Sequence, residues 1–184
     1  MSATVRPFGT LPDDTVIEAV DLEGNGISAT VITLGAALAG LRTPDRAGRM
    51  GEVLVGFRNL AEKAKRPAVS GASVGRYANR IGNAGFELDG TRYALEANNG
   101  PHCLHGGPGG LHTRTWRLAE NAGRPHPYAT FAPLSPAAYG SPAGRLAVSP
   151  THALTRDVSL TLHFSHLTHP PHSPPPTPPA PRAH

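Results

Sequence analysis

The 184-residue chain has a single cysteine, Cys103, which excludes an intrachain disulfide and any zinc site built on paired thiolates. A lone cysteine is ordinarily a small buried apolar side chain. Lysine is nearly missing. Of the 17 basic residues only Lys63 and Lys65 are lysines, and the arginines are spread rather than clustered. A pI near 9.7 therefore carries no nucleic-acid footprint, and no nucleic-acid motif accompanies it. Residues 63–66 are the nearest thing to a basic patch and read as a solvated loop. No apolar run approaches the roughly 18 residues of a membrane span. No charged start followed by an apolar stretch marks a signal peptide, so a cytoplasmic location is the expectation. Aromatics make up 5% of the chain, and no acidic residue follows Asp157.

Proline, by contrast, is unevenly placed. Fourteen of the 20 prolines lie from Pro125 onward, and eight lie from Pro170 onward. The first 120 or so residues alternate apolar stretches with Gly, Asp and Asn in the manner of a globular domain. Residues 16–22 (VIEAVDL) and 27–34 (ISATVITL) read as strands joined by the Asn25-Gly26 turn. Further strands are expected at 36–41, 52–57 (EVLVGF), 115–118, 129–134, 144–149 and 158–164. Residues 44–48 (PDRAG) form a turn, and 60–65 (LAEKAK) is the one helical turn. Asp89-Gly90 between 85–88 and 91–95 gives a type I′ hairpin. Short strands, frequent turns and almost no helix predict an all-β antiparallel sandwich over residues 1–164. Residues 165–184 form a Pro/His-rich tail that is not expected to fold.

Chemistry concentrates in residues 75–116, GRYANRIGNAGFELDGTRYALEANNGPHCLHGGPGGLHTRTW. Arg80 offers planar donors suited to sugar hydroxyls or ring oxygens, and neighbouring Asn79 both donates and accepts. Alone, each reads as a surface Arg and a turn Asn; Arg76 is an alternative binder. His105, in LHGG, can bond a sugar oxygen or move a proton near neutral pH, and its flanking glycines would let a ligand approach the backbone. His102 and His112 read as loop residues. The glycine run lacks the Gly-Lys-Ser/Thr of a phosphate loop and the G-x-G-x-x-G of a dinucleotide fold. No G-x-S-x-G elbow and no carboxylate pair suggest a hydrolase. His163, His166, His169 and His172 recur every three residues without accompanying carboxylates or thiolates, which implies weak metal affinity rather than a built site. No metal and no cofactor are expected.

The order GRYANRI, F-x-L-D-G-x-x-Y-x-L, N-x-G, LHGG and a following Trp resembles the galactose mutarotases, or aldose 1-epimerases. Supporting likeness runs from about Phe8 to Phe164. It includes Leu34-Gly35-Ala36, the 44–48 turn, residues 52–57, and altered counterparts of family motifs at 139–149 and 152–164. The resemblance implies a large antiparallel β-sandwich (a galactose mutarotase-like supersandwich), here incomplete. It implies interconversion of the α and β anomers of aldohexoses such as galactose and glucose. A glutamate base takes the anomeric proton while a histidine acid protonates the ring oxygen. It assigns Asn79, Arg80 and His105 to substrate binding.

The family places its catalytic histidine in T-N-H-x-Y-F-N. Here Thr177 corresponds, the histidine position falls near Pro179, and no Tyr-Phe-Asn follows. The sugar-binding aspartate and the glutamate base belong to a C-terminal half without counterpart here, so no catalytic residue is assigned. A Pro-, His-, Arg- and Ala-rich, acid-free ending suggests a truncated or frame-shifted gene. The chain is expected to be inactive alone, with an uncovered sheet prone to self-association. The alternatives are a non-catalytic carbohydrate-binding remnant, a hexose-6-phosphate 1-epimerase relative, and a scaffold whose Pro-rich tail fits SH3-like grooves.

Overall fold

The computed structural model describes residues 1–65, 69–133 and 146–168. Two sheets carry most of the chain. The first is built from β1 (Ser2–Thr10), β2 (Val16–Gly24), β3 (Ile27–Ile32), β4 (Ala37–Pro44) and β5 (Met50–Glu52), in sequence order. Each strand pairs antiparallel with the next. Asn25 (φ 52°) and Gly26 (φ 80°) close the β2–β3 hairpin in the left-handed conformation a two-residue type I′ turn requires. At the 44–48 turn Asp45 accepts from the backbone N–H of Ala47 and Arg49, and Gly48 takes φ 76°.

One five-residue helix, α1 (Leu60–Ala64), follows; the Asn59 side chain caps it by accepting from Glu62 N–H at 2.8 Å. Next come two small two-stranded ladders. β6 (Arg80–Ile81) pairs with β9 (Cys103–Leu104), and β7 (Gly85–Leu88) pairs with β8 (Thr91–Ala94). Asp89 (φ 50°) and Gly90 (φ 73°) make the β7–β8 turn, and Phe86 stacks on Tyr93 across it at 5.1 Å. The second large sheet is β10 (Trp116–Ala122), β11 (Tyr128–Pro133), β12 (Leu146–Leu154) and β13 (Leu160–Thr168), again antiparallel and in sequence order.

The two sheets face each other across a core. Val20, Leu22, Ile27, Ala29 and Val31 from the first meet Trp116, Ala129, Phe131, Val148 and Leu154 from the second. That is the expected sandwich. The opposite face of the first sheet is also covered at one end. Ile17, Ala19, Ile32, Ala37 and Ala39 pack there with Phe8 and Phe57, and Leu60 of the helix joins them. Adjacent Ala19 and Val20 are both fully buried because they serve the two different faces.

Three expectations change. β1 was not anticipated: its Arg6 and Pro7 obscure the pattern, and pairing with β2 holds it. Residues 52–57 do not form one strand. The Glu52 carboxylate accepts from Leu41 N–H at 2.7 Å and Leu54 N–H at 3.1 Å, which ends the ladder and leaves Val53 and Val55 exposed. The final strand runs four residues past its expected end at 164, so Ser165, His166, Leu167 and Thr168 belong to β13 rather than to the tail. Residues 169–184, with His169, His172 and Thr177, lie outside the described residues, as do Arg66, Tyr139 and the first part of the 139–149 motif. No helix among the described residues is long and apolar enough to cross a membrane.

Candidate functional site

The β6–β9 ladder is short, yet it joins the two ends of the 75–116 motif. Arg80 stands opposite Leu104 and Ile81 opposite Cys103, so the ANRI and LHGG segments run side by side. Asn79 and His105, 26 residues apart, then bond each other twice. Asn79 N–H donates to His105 Nδ1 at 3.0 Å, and His105 N–H donates to the Asn79 carbonyl at 2.9 Å. Both residues sit in left-handed backbone, at φ 73° and 54°. Asn and His are enriched among the non-glycine residues found there.

This pairing settles the protonation pattern of the ring. With Nδ1 occupied as an acceptor, the neutral imidazole carries its proton on Nε2. His105 therefore presents a donor, and Nε2 has no protein partner among the described residues. Arg80 is exposed, and its Nε donates to Asn99 Oδ1 at 3.0 Å. That bond orients the guanidinium and leaves its terminal N–H groups available. Asn98, one residue earlier, acts as a surrogate strand: it accepts from Leu104 N–H at 2.7 Å and donates to the Leu104 carbonyl at 3.0 Å. The two asparagines of N-N-G thus secure the β9 strand and the arginine. Sequence reading quoted them only within the N-x-G motif and gave them no role; their side-chain roles appear once residues 98–104 fold back on themselves.

The glycines have a different task from the one expected. A Cβ on Gly106 (φ 86°) would lie 2.0 Å from the Gly75 carbonyl oxygen, and one on Gly75 would lie 2.7 Å from Leu111 Cδ1. The space beside Gly106 is filled by the protein's own backbone and that beside Gly75 by the Leu111 side chain. Gly110 is similarly hemmed in, with a Cβ position 2.4 Å from the His105 carbonyl oxygen and 2.7 Å from His112 Cε1. Close packing of the two glycine-bearing segments is what fixes the position of His105.

His112, read from sequence as a loop residue, is 7% exposed, and its ring stands edge-on to that of His105 at 6.4 Å. Its Nδ1 has no partner among the described residues. Burial first, then the neighbouring His105 and Lys63, pushes its pKa below the ordinary value, so it is neutral at pH 7. Lys63 also departs from expectation. It is 6% exposed rather than solvated, with Nζ 5.0 Å from the Phe57 ring centre and 3.3 Å from the Ser70 carbonyl, and burial lowers its pKa. His102 Nδ1 accepts from Asn83 N–H at 3.1 Å and so holds the turn before β7. Trp116 is a core residue whose indole N–H donates to the Leu111 carbonyl at 3.2 Å. Arg76 is half-buried beside the Gly106 backbone, whereas Arg80 reaches solvent. His163 and His166 fall on opposite faces of β13, since an odd separation along a strand reverses the side. The described residues hold no group of three or more His, Cys, Asp or Glu able to bind a metal.

The aldose 1-epimerase family pattern matches residues 18–170. The chain belongs to the aldose 1-epimerase family. Pig galactose mutarotase is 38% identical over 117 residues, which are 63% of this chain and 34% of the pig protein. Human galactose mutarotase is 32% identical over 156 residues, covering 83% of this chain and 44% of the human one. Among solved structures, an aldose epimerase homologue from C. elegans superposes with a TM-score of 0.73 at 31% identity, over 83% of this chain and 46% of that one. Galactose 1-epimerase from Lactobacillus acidophilus shares the fold, with a TM-score of 0.75 at 18% identity over 90% of this chain and 48% of that one. This aldose 1-epimerase family chain thus spans less than half the length of these relatives.

Proposed function

We propose that this chain carries the sugar-recognition edge of an aldose 1-epimerase and binds an aldohexose such as galactose or glucose through Asn79, Arg80 and His105. The doubly bonded Asn79–His105 pair supports this reading. It fixes His105 against Asn79 at the end of the short ladder that carries Arg80. Donors and acceptors gathered at one exposed edge suit the alternating hydroxyls and ring oxygen of a pyranose. No cofactor or metal is needed for such binding. A cytoplasmic location belongs to the same proposal.

Anomer interconversion asks for more. A base must take the proton of the anomeric hydroxyl while an acid protonates the ring oxygen, and the two groups must differ in protonation state. His105, a donor through Nε2 with Nδ1 occupied, is not placed to be that base. The chain alone is therefore a sugar binder rather than an efficient mutarotase. Polarimetry of freshly dissolved α-D-galactose should show the buffer rate with the purified chain. NMR titration should show galactose binding that is lost in His105→Ala and Arg80→Ala. Absence of binding in the folded wild type would overturn the reading. Acceleration of mutarotation that His105→Ala abolishes would replace it with that of a complete enzyme. Preference for a hexose 6-phosphate over the free sugar would favour the phosphate-sugar relative.

A further inference from the structure

One hydrogen bond fixes one atom of a ring. His105 Nδ1 accepts from Asn79 N–H at 3.0 Å, and that bond alone leaves the imidazole free to tilt about the acceptor atom. The second bond of the pair, from His105 N–H to the Asn79 carbonyl, holds the main chain and not the ring. A donor aimed at a sugar hydroxyl must keep its direction, because a hydrogen bond weakens steeply as its angle closes. The further contact on the ring comes from His112. The two ring centres are 6.4 Å apart and the planes stand at 75°. Aromatic rings about 4.5–7 Å apart favour such an edge-on arrangement.

His112 is itself held from several sides. It lies in the one-turn 3₁₀ helix Leu111–Thr113, where Leu111 N–H donates to the Gly75 carbonyl at 3.1 Å and the Leu111 carbonyl accepts from the Trp116 indole at 3.2 Å. Its ring rests on Gly110, where a Cβ would lie 2.7 Å from Cε1 and 2.8 Å from Nδ1. Its carbonyl oxygen rests on Gly35, between β3 and β4, where a Cβ would lie 2.7 Å away. Gly35 N–H also donates to the Arg114 carbonyl at 2.7 Å. The first sheet thus anchors His112, and His112 reaches the ring of His105. Burial, His105 and the nearby Lys63 ammonium keep it neutral, so it meets that ring without charge repulsion.

We propose that His112 is a positioning residue for the sugar-binding edge: its buried ring buttresses the His105 imidazole, so that Nδ1 stays on Asn79 and Nε2 keeps its direction. The role is one of shape, and a ring without nitrogens at this position serves equally. The consequence for sugar binding rests on the function proposed above; the ring geometry itself needs no sugar.

Nitrogen-15 NMR of the histidine rings in the full chain, first without and then with galactose, tests this. In sugar-free wild type His105 should show a single tautomer, with Nε2 protonated and Nδ1 bare. His112→Phe should keep that pattern. His112→Ala should move both His105 nitrogens toward tautomer averaging and weaken galactose binding roughly fivefold, with an unchanged far-UV circular dichroism spectrum. Should the alanine variant lose the native spectrum, His112→Leu, which fills the space without a ring, takes its place with the same expected outcome. The proposal is overturned by averaged His105 tautomers in wild type, by a folded Ala or Leu variant with wild-type His105 signals, or by a folded Phe variant that loses them. Ring signals that follow the substitutions in a protein that binds no galactose would uphold the positioning role and overturn the sugar reading. Galactose binding with ring signals indifferent to His112 would do the reverse.

Discussion

Acid should weaken this fold through one buried side chain, His152. It is 1% exposed on β12, its ring stands edge-on to Phe131 at 5.9 Å, and its Nδ1 has no partner among the described residues. Burial pushes its pKa down from the ordinary 6.5 to about 4. The imidazole is thus neutral in the folded state at pH values where the unfolded chain already binds a proton. Stability contributed by the neutral ring is complete above 6.5 and is lost as pH falls from 6.5 through about 4. The whole interval corresponds to about 3 kcal/mol, and a step from pH 7 to pH 5 to about 2 kcal/mol. That is a large share of the roughly 5–15 kcal/mol that holds a typical domain together. Urea unfolding of wild type and His152→Leu at a series of pH values isolates the effect, because the difference between them cancels other titrating groups such as His112. At pH 7 the leucine variant should be at least as stable, since it removes a buried unpaired polar atom. Between pH 7 and 5 wild type should lose about 2 kcal/mol more than the variant. Parallel stability curves for the two proteins over that interval would refute the reasoning.

Gly106→Ala should cost about 2–3 kcal/mol, since the methyl group would meet the Gly75 carbonyl at 2.0 Å in left-handed backbone. Thermal unfolding and galactose titration should show lower stability and lost binding together. Asn99→Ala removes the acceptor that orients Arg80. It should weaken galactose binding about fivefold, or about 1 kcal/mol, with little change in the melting temperature. Gly90→Ala places a side chain at φ 73° in an open turn, where nothing lies within 4 Å of the new Cβ. Chemical denaturation should report about 1 kcal/mol lost to backbone strain alone, with binding intact.

The features legible in the sequence were those with local causes. Asn25-Gly26 and Asp89-Gly90 announce their hairpins because left-handed turn geometry selects those residues whatever surrounds them. The β-branched run in β3 and the helical turn expected at 60–65 are similarly self-contained. Residues 52–57 misled for the opposite reason. Their apolar pattern favours a strand, but the carboxylate of Glu52 takes the N–H of Leu41 and ends the ladder. His112 and Lys63 carry no local mark of burial at all. A histidine beside a glycine run and a lysine in a charged helical turn look solvated until Phe57, Ser70 and His105 close around them.

By itself the sequence determined the all-β class and the hairpin turns, because strand periodicity and turn chemistry act over a few neighbouring residues, while the resemblance to the aldose 1-epimerases pointed to Asn79, Arg80 and His105. Only the tertiary structure decided that Asn79 and His105 bond each other twice, that Asn99 orients Arg80, and that Gly106 is a glycine to let its backbone touch that of Gly75. These contacts join residues 19 to 31 positions apart in the chain. Their partners are chosen by packing and strand register, which no local stretch of sequence encodes.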